Sequence, residues 1–417
     1  MPKITPFSAI RPSKDHAAKI AALPYDVYNR KEATEIVASE PLSFLKIDRA
    51  ETSFPEDVST YDDRVYFRAK ELLGAMIDDG AFIIEDNACY YIYELKMGEH
   101  IQTGIAACSA VSDYEENRIK KHENTRPEKE LDRIRHIDIT NAHTGPIFMA
   151  YRRNEVINGI VAEAKKAVPE YDFTSSDGIR HRVWVINESK TIIELEKAFL
   201  AIPATYIADG HHRCASAVKV AHKRKAENPR HQGNEEYNRF LSVLFPDDEL
   251  KILPYNRVVA DLNGLSIDEL IKAIESQGFL IEHLGEEAYA PDRKGCFGMY
   301  LRNGWYRLTA KTELLSADPV AGLDVAILQD YLLKPVFGID DPRTDKRIDF
   351  VGGIRGLHEL EKRASSDMMA AFSMYATSIQ ELLAVADAGL LMPPKSTWFE
   401  PKLRSGLFIH ALNNVPI

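Results

Sequence analysis

A mostly apolar run that leads directly into a short polar turn, followed by a helix-like run, constrains the fold of this chain most. Residues 204–208 form the apolar run, residues 209–213 read Asp-Gly-His-His-Arg, and residues 214–225 have the composition of a helix. The first N–H groups of a helix have no partners within the helix, and the helix dipole places roughly half a positive charge there. We therefore predict a strand, a tight turn and a helix whose first turn holds a phosphate or a carboxylate.

The side chains of this turn suit a nucleotide. Gly210 lets the main chain approach a ligand closely, and Arg213 offers a two-pronged hydrogen-bond donor. Asp209 would repel a phosphate unless a cation lies between them, and Mg²⁺ is usually held by one or two carboxylates together with phosphates. A simpler interpretation stays open, because Asp caps helices and Gly forms turns, so a solvated first helical turn would look the same.

Composition and charge exclude several classes of protein. The 417 residues are 45% hydrophobic and 28% charged, which predicts a soluble globular protein with two or more domains. The net charge of −11 argues against a general nucleic-acid binder, and the spacing of the four cysteines indicates neither a zinc site nor a disulfide framework. Because the sequence shows no signal peptide and no apolar run of membrane length, we expect a cytoplasmic protein with small-molecule partners and no membrane partner. The oligomeric state stays open, and a homodimer is one alternative.

Helix-like and strand-like segments alternate along the chain, which predicts a mixed α+β fold. Helices are predicted at residues 32–39, 58–79, 265–277 and 325–333, and strands at residues 43–47, 146–150 and 240–245. Hairpins are predicted at residues 89–111 and 298–308, the second around Asn303-Gly304. We divide the chain near residue 250 into a nucleotide-binding catalytic region, residues 1–250, and a C-terminal α+β region packed on it, residues 251–417.

A second polar stretch, residues 120–133, carries a candidate general base. Glu123 lies among cations and neutral hydrogen-bonding side chains, and Pro127 suits the first position of a helix that follows Thr125 or Arg126. Such a mixture would hold a triphosphate and position a carboxylate. Charged stretches are more often exposed helices and loops, and composition alone favours that interpretation.

Several motifs, spread over nearly the whole chain, resemble those of one family. They are Leu23-Pro24-Tyr25-Asp26-Val27, His122-Glu123-Asn124-Thr125 with Asp132-Arg133, the turn at 209–213, and a tail with Met392-Pro393-Pro394-Lys395-Ser396-Thr397, Pro401-Lys402 and Gly406-Leu407. Together they look like a bacterial and archaeal family with a domain of unknown function. Its turn is similar to that of the ParB/sulfiredoxin superfamily, whose members bind nucleotide phosphates there, and some relatives are kinases of free L-serine.

The resemblance implies a ParB/sulfiredoxin-like nucleotide-binding core with large insertions and a C-terminal α+β region. It implies that Glu123 is the catalytic base and that Asp209 precedes a phosphate-binding turn. In the mechanism that this favours, Asp209 positions Mg²⁺ and His212 donates to the phosphoryl group. The expected nucleotide and phosphate contacts come from Gly210, His211, Arg213, Asn124, Thr125, Arg126 and Arg133.

The amino-acid substrate needs partners of its own. We expect Asp26 to contact its ammonium group, and Lys395, Ser396 and Thr397 to contact its carboxylate or a phosphate. Ordinary turn and loop roles are the alternative for all four residues.

These expectations predict an enzyme that transfers a phosphoryl group from ATP or ADP, with Mg²⁺, to the hydroxyl of a free amino acid. L-serine is the first choice of acceptor. Such transfer depends on positioned groups and neutralised oxygens more than on covalent chemistry.

Two alternatives to the kinase stay open. One is a ParB-like, nucleotide-binding regulatory protein without turnover of an amino acid. The other is a metal-dependent hydrolase with zinc or manganese bound by residues among His122, Glu123, Asp209, His211 and His212. Adjacent histidines point apart on a regular helix, so His211 and His212 would share a metal only at an irregular turn.

Overall fold

The computed structural model describes residues 1–413 and divides the chain into two compact units. The first unit contains Met1–Leu250 and the chain from Pro401 onward, and the second contains Lys251–Glu400. Both units contain helices and strands, which confirms the predicted mixed α+β class.

Short strands and helices alternate along the described chain. The strands are β1 Ile4–Thr5, β2 Ile10–Pro12, β3 Phe82–Ile84, β4 Tyr90–Met97, β5 His100–Ala110, β6 Ile119–Lys120, β7 Ala142–His143, β8 Ile147–Tyr151, β9 Tyr171–Thr174, β10 Arg180–Ile186, β11 Thr205–Asp209, β12 Arg239–Pro246, β13 Lys251–Leu253, β14 Tyr255–Val259, β15 Phe279–Gly285, β16 Cys296–Leu301, β17 Gly304–Ala310, β18 Ile348–Gly352, β19 Ala370–Ser373, β20 Trp398–Glu400 and β21 His410–Ala411. The α-helices are α1 Ala17–Ile20, α2 Arg30–Ser39, α3 Leu45–Asp48, α4 Asp63–Asp78, α5 Val111–Glu115, α6 Pro127–Thr140, α7 Glu155–Ala164, α8 Ser189–Phe199, α9 His211–Glu227, α10 Ile267–Ser276, α11 Asp324–Leu328, α12 Gly356–Ser366 and α13 Ile379–Asp387.

The main sheet of the first unit has the strand order β6-β11-β8-β12-β5-β4-β10-β9, with β1 also paired to β5. Most neighbours are antiparallel, but β6 runs parallel to β11, and β8 runs parallel to β12. Helices α6 to α9 contribute Ile137, Ile157, Leu195 and Val218 to the same buried core as the sheet residues Ile147 and Ile207. Burial of these apolar side chains fixes the two parallel pairs, which decide where the polar motifs lie.

A second core lies among the N-terminal helices of the first unit. Phe44, Leu45 and Ile47 are fully buried there and pack with Leu73 of α4. The sequence pattern predicts residues 43–47 as a strand, and this prediction is wrong, because Leu45–Asp48 is helical. A short apolar run has the same pattern in a buried strand and in one helical turn, so its periodicity could not separate the two.

The other predicted segments lie close to observed elements. The helix predicted at 58–79 is α4, which begins later, at Asp63, and Pro127 is the first residue of α6. The two hairpins are formed by β4 with β5 and by β16 with β17. No helix among residues 1–413 is both long and apolar enough to cross a lipid bilayer.

The second unit contains its own sheet, with the order β15-β17-β16-β19-β14-β18 and antiparallel neighbours. Val258, Trp305 and Leu360 lie in its core. Where the chain enters and leaves this unit, β13 pairs with β20, and Lys251 lies opposite Glu400. The second unit is therefore an insertion whose two ends are hydrogen-bonded neighbours.

Residues 401–413 belong to the first unit, whereas the boundary predicted near residue 250 places them with residues 251–400. Ile409 pairs with Ile10, Ser405 pairs with Ala22, and β21 pairs with β7. Leu407, Phe408 and Ile409 are fully buried. The tail therefore completes the first unit, and no local pattern of the sequence reports such long-range pairing.

Buried histidines make the first unit sensitive to acid. Burial is the main cause that lowers the pKa of His122 and His136 to about 4 and that of His181 to about 3. It also lowers the pKa of His143 and His211 well below the usual range. In the unfolded chain these groups accept a proton near pH 6.5, whereas in the folded protein they stay neutral to lower pH.

We expect the contribution of these histidines to the free energy of unfolding to have its full value above pH 6.5. This contribution should fall as the pH drops from 6.5 towards 4. His122, His136 and His181 should each contribute a loss of about 2 kcal/mol between pH 7 and pH 5. Urea unfolding of the wild type and of His181→Gln, each at pH 7 and pH 5, measures this loss of unfolding free energy. The variant should lose less stability than the wild type on acidification, and an equal loss in both proteins would contradict the assignment.

Candidate active site

Two polar motifs meet at one edge of the main sheet. Because β6 and β11 are adjacent and parallel, the residues that follow them emerge at the same edge. His122 and Glu123 follow β6, and the turn at Gly210 follows β11. The main-chain N–H of His122 lies 3.5 Å from Nε2 of His211, and the two imidazole rings are perpendicular, with centroids 4.5 Å apart.

The turn has the predicted strand–turn–helix form. Gly210 has a φ of +95°, and helix α9 begins at the next residue. Within the described part of the chain, no side-chain hydrogen bond caps the N-terminus of this helix. The register of β11 against β8 shifts between Ile207 and Asp209, and such a bulge redirects the side chains at the end of a strand. A Cβ atom at Gly210 would lie 3.1 Å from Nη2 of Arg213. The positive φ therefore favours glycine here, and a Cβ atom would in addition displace the Arg213 guanidinium by a few tenths of an ångström.

Arg213 folds back against this turn. Its Nη1 donates to the carbonyl oxygen of Pro146 over 2.5 Å, at the start of the neighbouring strand. The guanidinium is thereby positioned beside the first turn of α9, where main-chain amides and a fixed positive charge lie together. This arrangement suits an anion.

Asp209 pairs with a lysine that no sequence pattern assigns to the site. Nζ of Lys402 donates to Oδ2 of Asp209 over 2.7 Å. Burial acts to raise the pKa of Asp209, but the charges of Lys402 and Arg213 outweigh it and hold the pKa well below its usual range. The carboxylate is therefore ionised. Sequence spacing carried no signal for this contact, although Lys402 belongs to the tail motif on which the family resemblance depends.

His122 and His211 are buried and neutral at neutral pH. His122 is 2% exposed, and burial lowers its pKa despite the opposing charge of Asp209 and a hydrogen bond to the main chain of Ile207. Glu123 is partly buried, and one ligating atom from each of His122, Glu123 and His211 lies within 4.8 Å of the others. A carboxylate next to two neutral imidazoles can accept a proton or bind a metal ion.

The loop that follows Glu123 contacts the second histidine of the turn. The main-chain N–H of Arg126 donates to Nε2 of His212 over 3.0 Å. The hydroxyl of Thr125 donates to Glu130, which also forms an ion pair with Lys219. Asn124 and the side chain of Arg126 are exposed. The structure therefore brings this loop to the turn, with Thr125 contacting helix α6.

Arg133 lies deeper. Its Nη2 is 2.8 Å from Oδ2 of Asp132, and its guanidinium lies 4.0 Å from the ring centroid of Tyr25. Tyr25 belongs to the N-terminal motif, and Lys402 belongs to the tail, so residues from all four motifs that carry the family resemblance make contacts in the first unit. Asp26, the next residue, is exposed in the middle of a short 3₁₀ turn, Tyr25–Val27.

Arg133 and Arg213 line one small cavity together. Its volume of about 20 Å³ suits roughly one water molecule. The other lining residues are Tyr25, Asp48, His136, Ile137, His143, Thr144, Gly145, Ile147, Leu241 and Ser405. The cavity joins two arginines to polar groups that no sequence motif pointed to, above all Asp48 and His143.

Lys395, Ser396 and Thr397 lie in the second unit. The carbonyl of Lys395 accepts from Arg257 over 3.0 Å, and the hydroxyl of Ser396 donates to the carbonyl of Pro393 over 2.6 Å. These contacts shape a loop within that unit. Their assignment to a substrate stays a prediction.

Known proteins similar to this chain are found among solved structures, whereas a search of curated protein sequences finds no significant match. A mutant free serine kinase in complex with ADP has 12% identity and a TM-score of 0.37, with 74% of this chain and 92% of the other covered. A free serine kinase in complex with AMP has 13% identity and a TM-score of 0.35, with 74% and 91% covered. A conserved hypothetical protein from Pyrococcus furiosus has 14% identity and a TM-score of 0.33, with 73% and 94% covered.

A family model described as a protein of unknown function, DUF1015, matches residues 4–326. The match includes β6, β11 and the two motifs that follow them. Since it spans well over half of the sequence, the chain belongs to the DUF1015 family.

Proposed function

We propose that this protein is a small-molecule kinase that transfers a phosphoryl group from ATP or ADP to the hydroxyl of a free amino acid, L-serine first. One observation carries the proposal. A carboxylate, Glu123, and an uncapped helix N-terminus at Gly210 follow two adjacent parallel strands and therefore lie at one sheet edge. Phosphoryl transfer needs a proton acceptor beside a site that binds phosphate. This sheet edge offers both, and we call the phosphate site, made of the turn at Gly210, the first amides of α9 and Arg213, the phosphate cradle.

The cradle contains main-chain and side-chain donors. The first amides of α9 would face the terminal phosphates, with Arg213 beside them, in a core that we propose to be ParB/sulfiredoxin-like. Asp209 is ionised and has oxygen ligands, which fits Mg²⁺, so this residue would hold the ion together with the phosphates. Bound there, Mg²⁺ would neutralise charge on the phosphate oxygens. Lys402 contributes a further positive charge at the same carboxylate.

The reacting groups follow from this placement. Oγ of serine would attack the terminal phosphorus, the bond from that phosphorus to the bridging oxygen would break, and Glu123 would take the hydroxyl proton. His212 would donate a hydrogen bond to the transferred group, and Arg126 and Arg133 would add positive charge. Asp26 and the segment 395–397 remain our proposed contacts for the ammonium and carboxylate groups of the substrate.

The experiment is a direct product assay. The purified full chain is incubated with Mg²⁺, L-serine and either ATP labelled at its γ-phosphate or ADP labelled at its β-phosphate, and labelled phosphoserine is expected. Threonine and a reaction without amino acid serve as controls. Nucleotide binding without amino-acid turnover would contradict the kinase and favour the regulatory alternative. Binding is measured separately as a nucleotide-dependent rise in melting temperature.

A further inference from the structure

One buried nitrogen beside the candidate base has no hydrogen-bond partner among residues 1–413. Nδ1 of His122 is buried and unpaired, while the same imidazole hydrogen-bonds the main chain of Ile207, so that bond must use Nε2. A polar atom buried without a partner is costly. A lone pair on one imidazole nitrogen, with the other nitrogen fixed by a main-chain carbonyl, is the usual arrangement of a histidine that ligates a metal.

Two further donors lie near the imidazole of His122. Glu123 and His211 each place a ligating atom within 4.8 Å of the ligating atom of His122 and of each other. They reach this position because β6 and β11 end side by side. His212 points elsewhere, towards the main-chain N–H of Arg126. Of the two adjacent histidines, only His211 therefore belongs to this cluster.

We propose that His122, Glu123 and His211 form a binding site for a divalent transition metal ion of the zinc type. Two imidazole nitrogens and one carboxylate oxygen are a donor set that zinc and its first-row neighbours favour, with a remaining position for water or a substrate oxygen. Mg²⁺ prefers oxygen ligands and would stay with Asp209 and the phosphates. Binding at this cluster does not depend on the proposed kinase activity.

The site has a consequence for the proposed kinase, and this part rests on the proposed function. Glu123 cannot ligate zinc and accept the substrate proton with the same oxygen lone pair. One equivalent of Zn²⁺ should therefore inhibit formation of phosphoserine at constant Mg²⁺, and a zinc-selective chelator should restore it.

The test measures binding of the metal alone. Metal-free full-length protein is titrated with Zn²⁺ in competition with a chromophoric chelator, and one equivalent per chain is expected. His122→Ala and His211→Ala should each weaken binding by about 100-fold or more, because each removes a direct ligand, whereas loss of a mere supporting contact costs roughly 10- to 100-fold. Co²⁺ provides a second readout, since its visible absorption reports nitrogen and oxygen ligation.

His181→Gln is the matched control. His181 is equally buried, but Tyr93 and Ser175 lie within hydrogen-bond distance of its two ring nitrogens, at 2.8 Å and 3.0 Å. Its replacement should leave zinc affinity unchanged. If His122→Ala does not fold, Glu123→Gln and His211→Asn decide the question, with circular dichroism as the folding check.

Absence of zinc binding by the wild type, or equal affinity in the wild type and the folded ligand variants, would overturn the proposal. Failure of the kinase is distinguishable, because it would leave the metal titration and the Co²⁺ spectrum unaltered. Conversely, phosphoserine formation by a protein that binds no zinc would retain the kinase and remove the metal site.

Discussion

Glu123→Gln is expected to slow phosphoserine formation by about 10²- to 10⁴-fold, the range that a general base contributes. The amide keeps the size of the side chain and cannot accept the hydroxyl proton. Because the phosphate-binding turn that we propose at Gly210 is built from other residues, nucleotide affinity should remain unchanged. Steady-state kcat at saturating substrates and a calorimetric nucleotide titration measure the two quantities.

Glu128→Gln is the control for that experiment. Glu128 is an exposed carboxylate in the first turn of α6, a few residues along the chain from Glu123. Its replacement removes the same charge from the same region and should leave kcat unaltered. A Glu123→Gln enzyme with wild-type kcat would show that the proton goes elsewhere. If kcat fell equally in both variants, the cause would be the lost negative charge of this segment, and Glu123 would not be the general base.

Gly210→Ala is expected to weaken nucleotide binding by about 10- to 100-fold. A residue with a Cβ atom loses about 1 to 2 kcal/mol in the left-handed region that Gly210 occupies. In addition, the new Cβ would lie 3.1 Å from Nη2 and 3.2 Å from Nε of Arg213, so the guanidinium must move. The dissociation constant for Mg–ATP or Mg–ADP and the free energy of unfolding are measured together.

Gly233→Ala separates backbone strain from the effect on the site. Gly233 has a φ of +92°, nearly that of Gly210, but a Cβ atom there would meet open space. Both variants should lose similar stability, and only Gly210→Ala should lose affinity. Equal nucleotide affinities of the two variants would contradict the assignment of the turn as a phosphate cradle.

The local features of the site could be predicted from the sequence. An apolar run, a glycine and a helix-like run specify the turn at Gly210, because each depends on neighbouring residues only. Pro127 at the first position of α6 follows in the same way. The hairpin of β16 and β17 was predictable because Asn303-Gly304 specifies its turn.

The long-range features could not be predicted. The parallel pairing of Ile119 with Thr205, which brings Glu123 to the turn, joins strands far apart in the sequence. The ion pair between Asp209 and Lys402 spans 193 residues. Both depend on how buried apolar faces pack, and one sequence without related sequences contains no measure of that packing. The same reason accounts for the placement of residues 401–413.

The position of Lys402 in the chain has a consequence for biosynthesis. Its partner, Asp209, precedes the inserted unit Lys251–Glu400, and Lys402 follows it. A chain folds from its N-terminus as it leaves the ribosome, so the turn and its helix can form well before the lysine emerges. Nascent chains, and products truncated before residue 402, should therefore have only Arg213 to offset the charge of Asp209 beside the proposed phosphate-binding turn. We expect them to bind nucleotide more weakly than the full chain, which delays any activity until translation has passed the insertion.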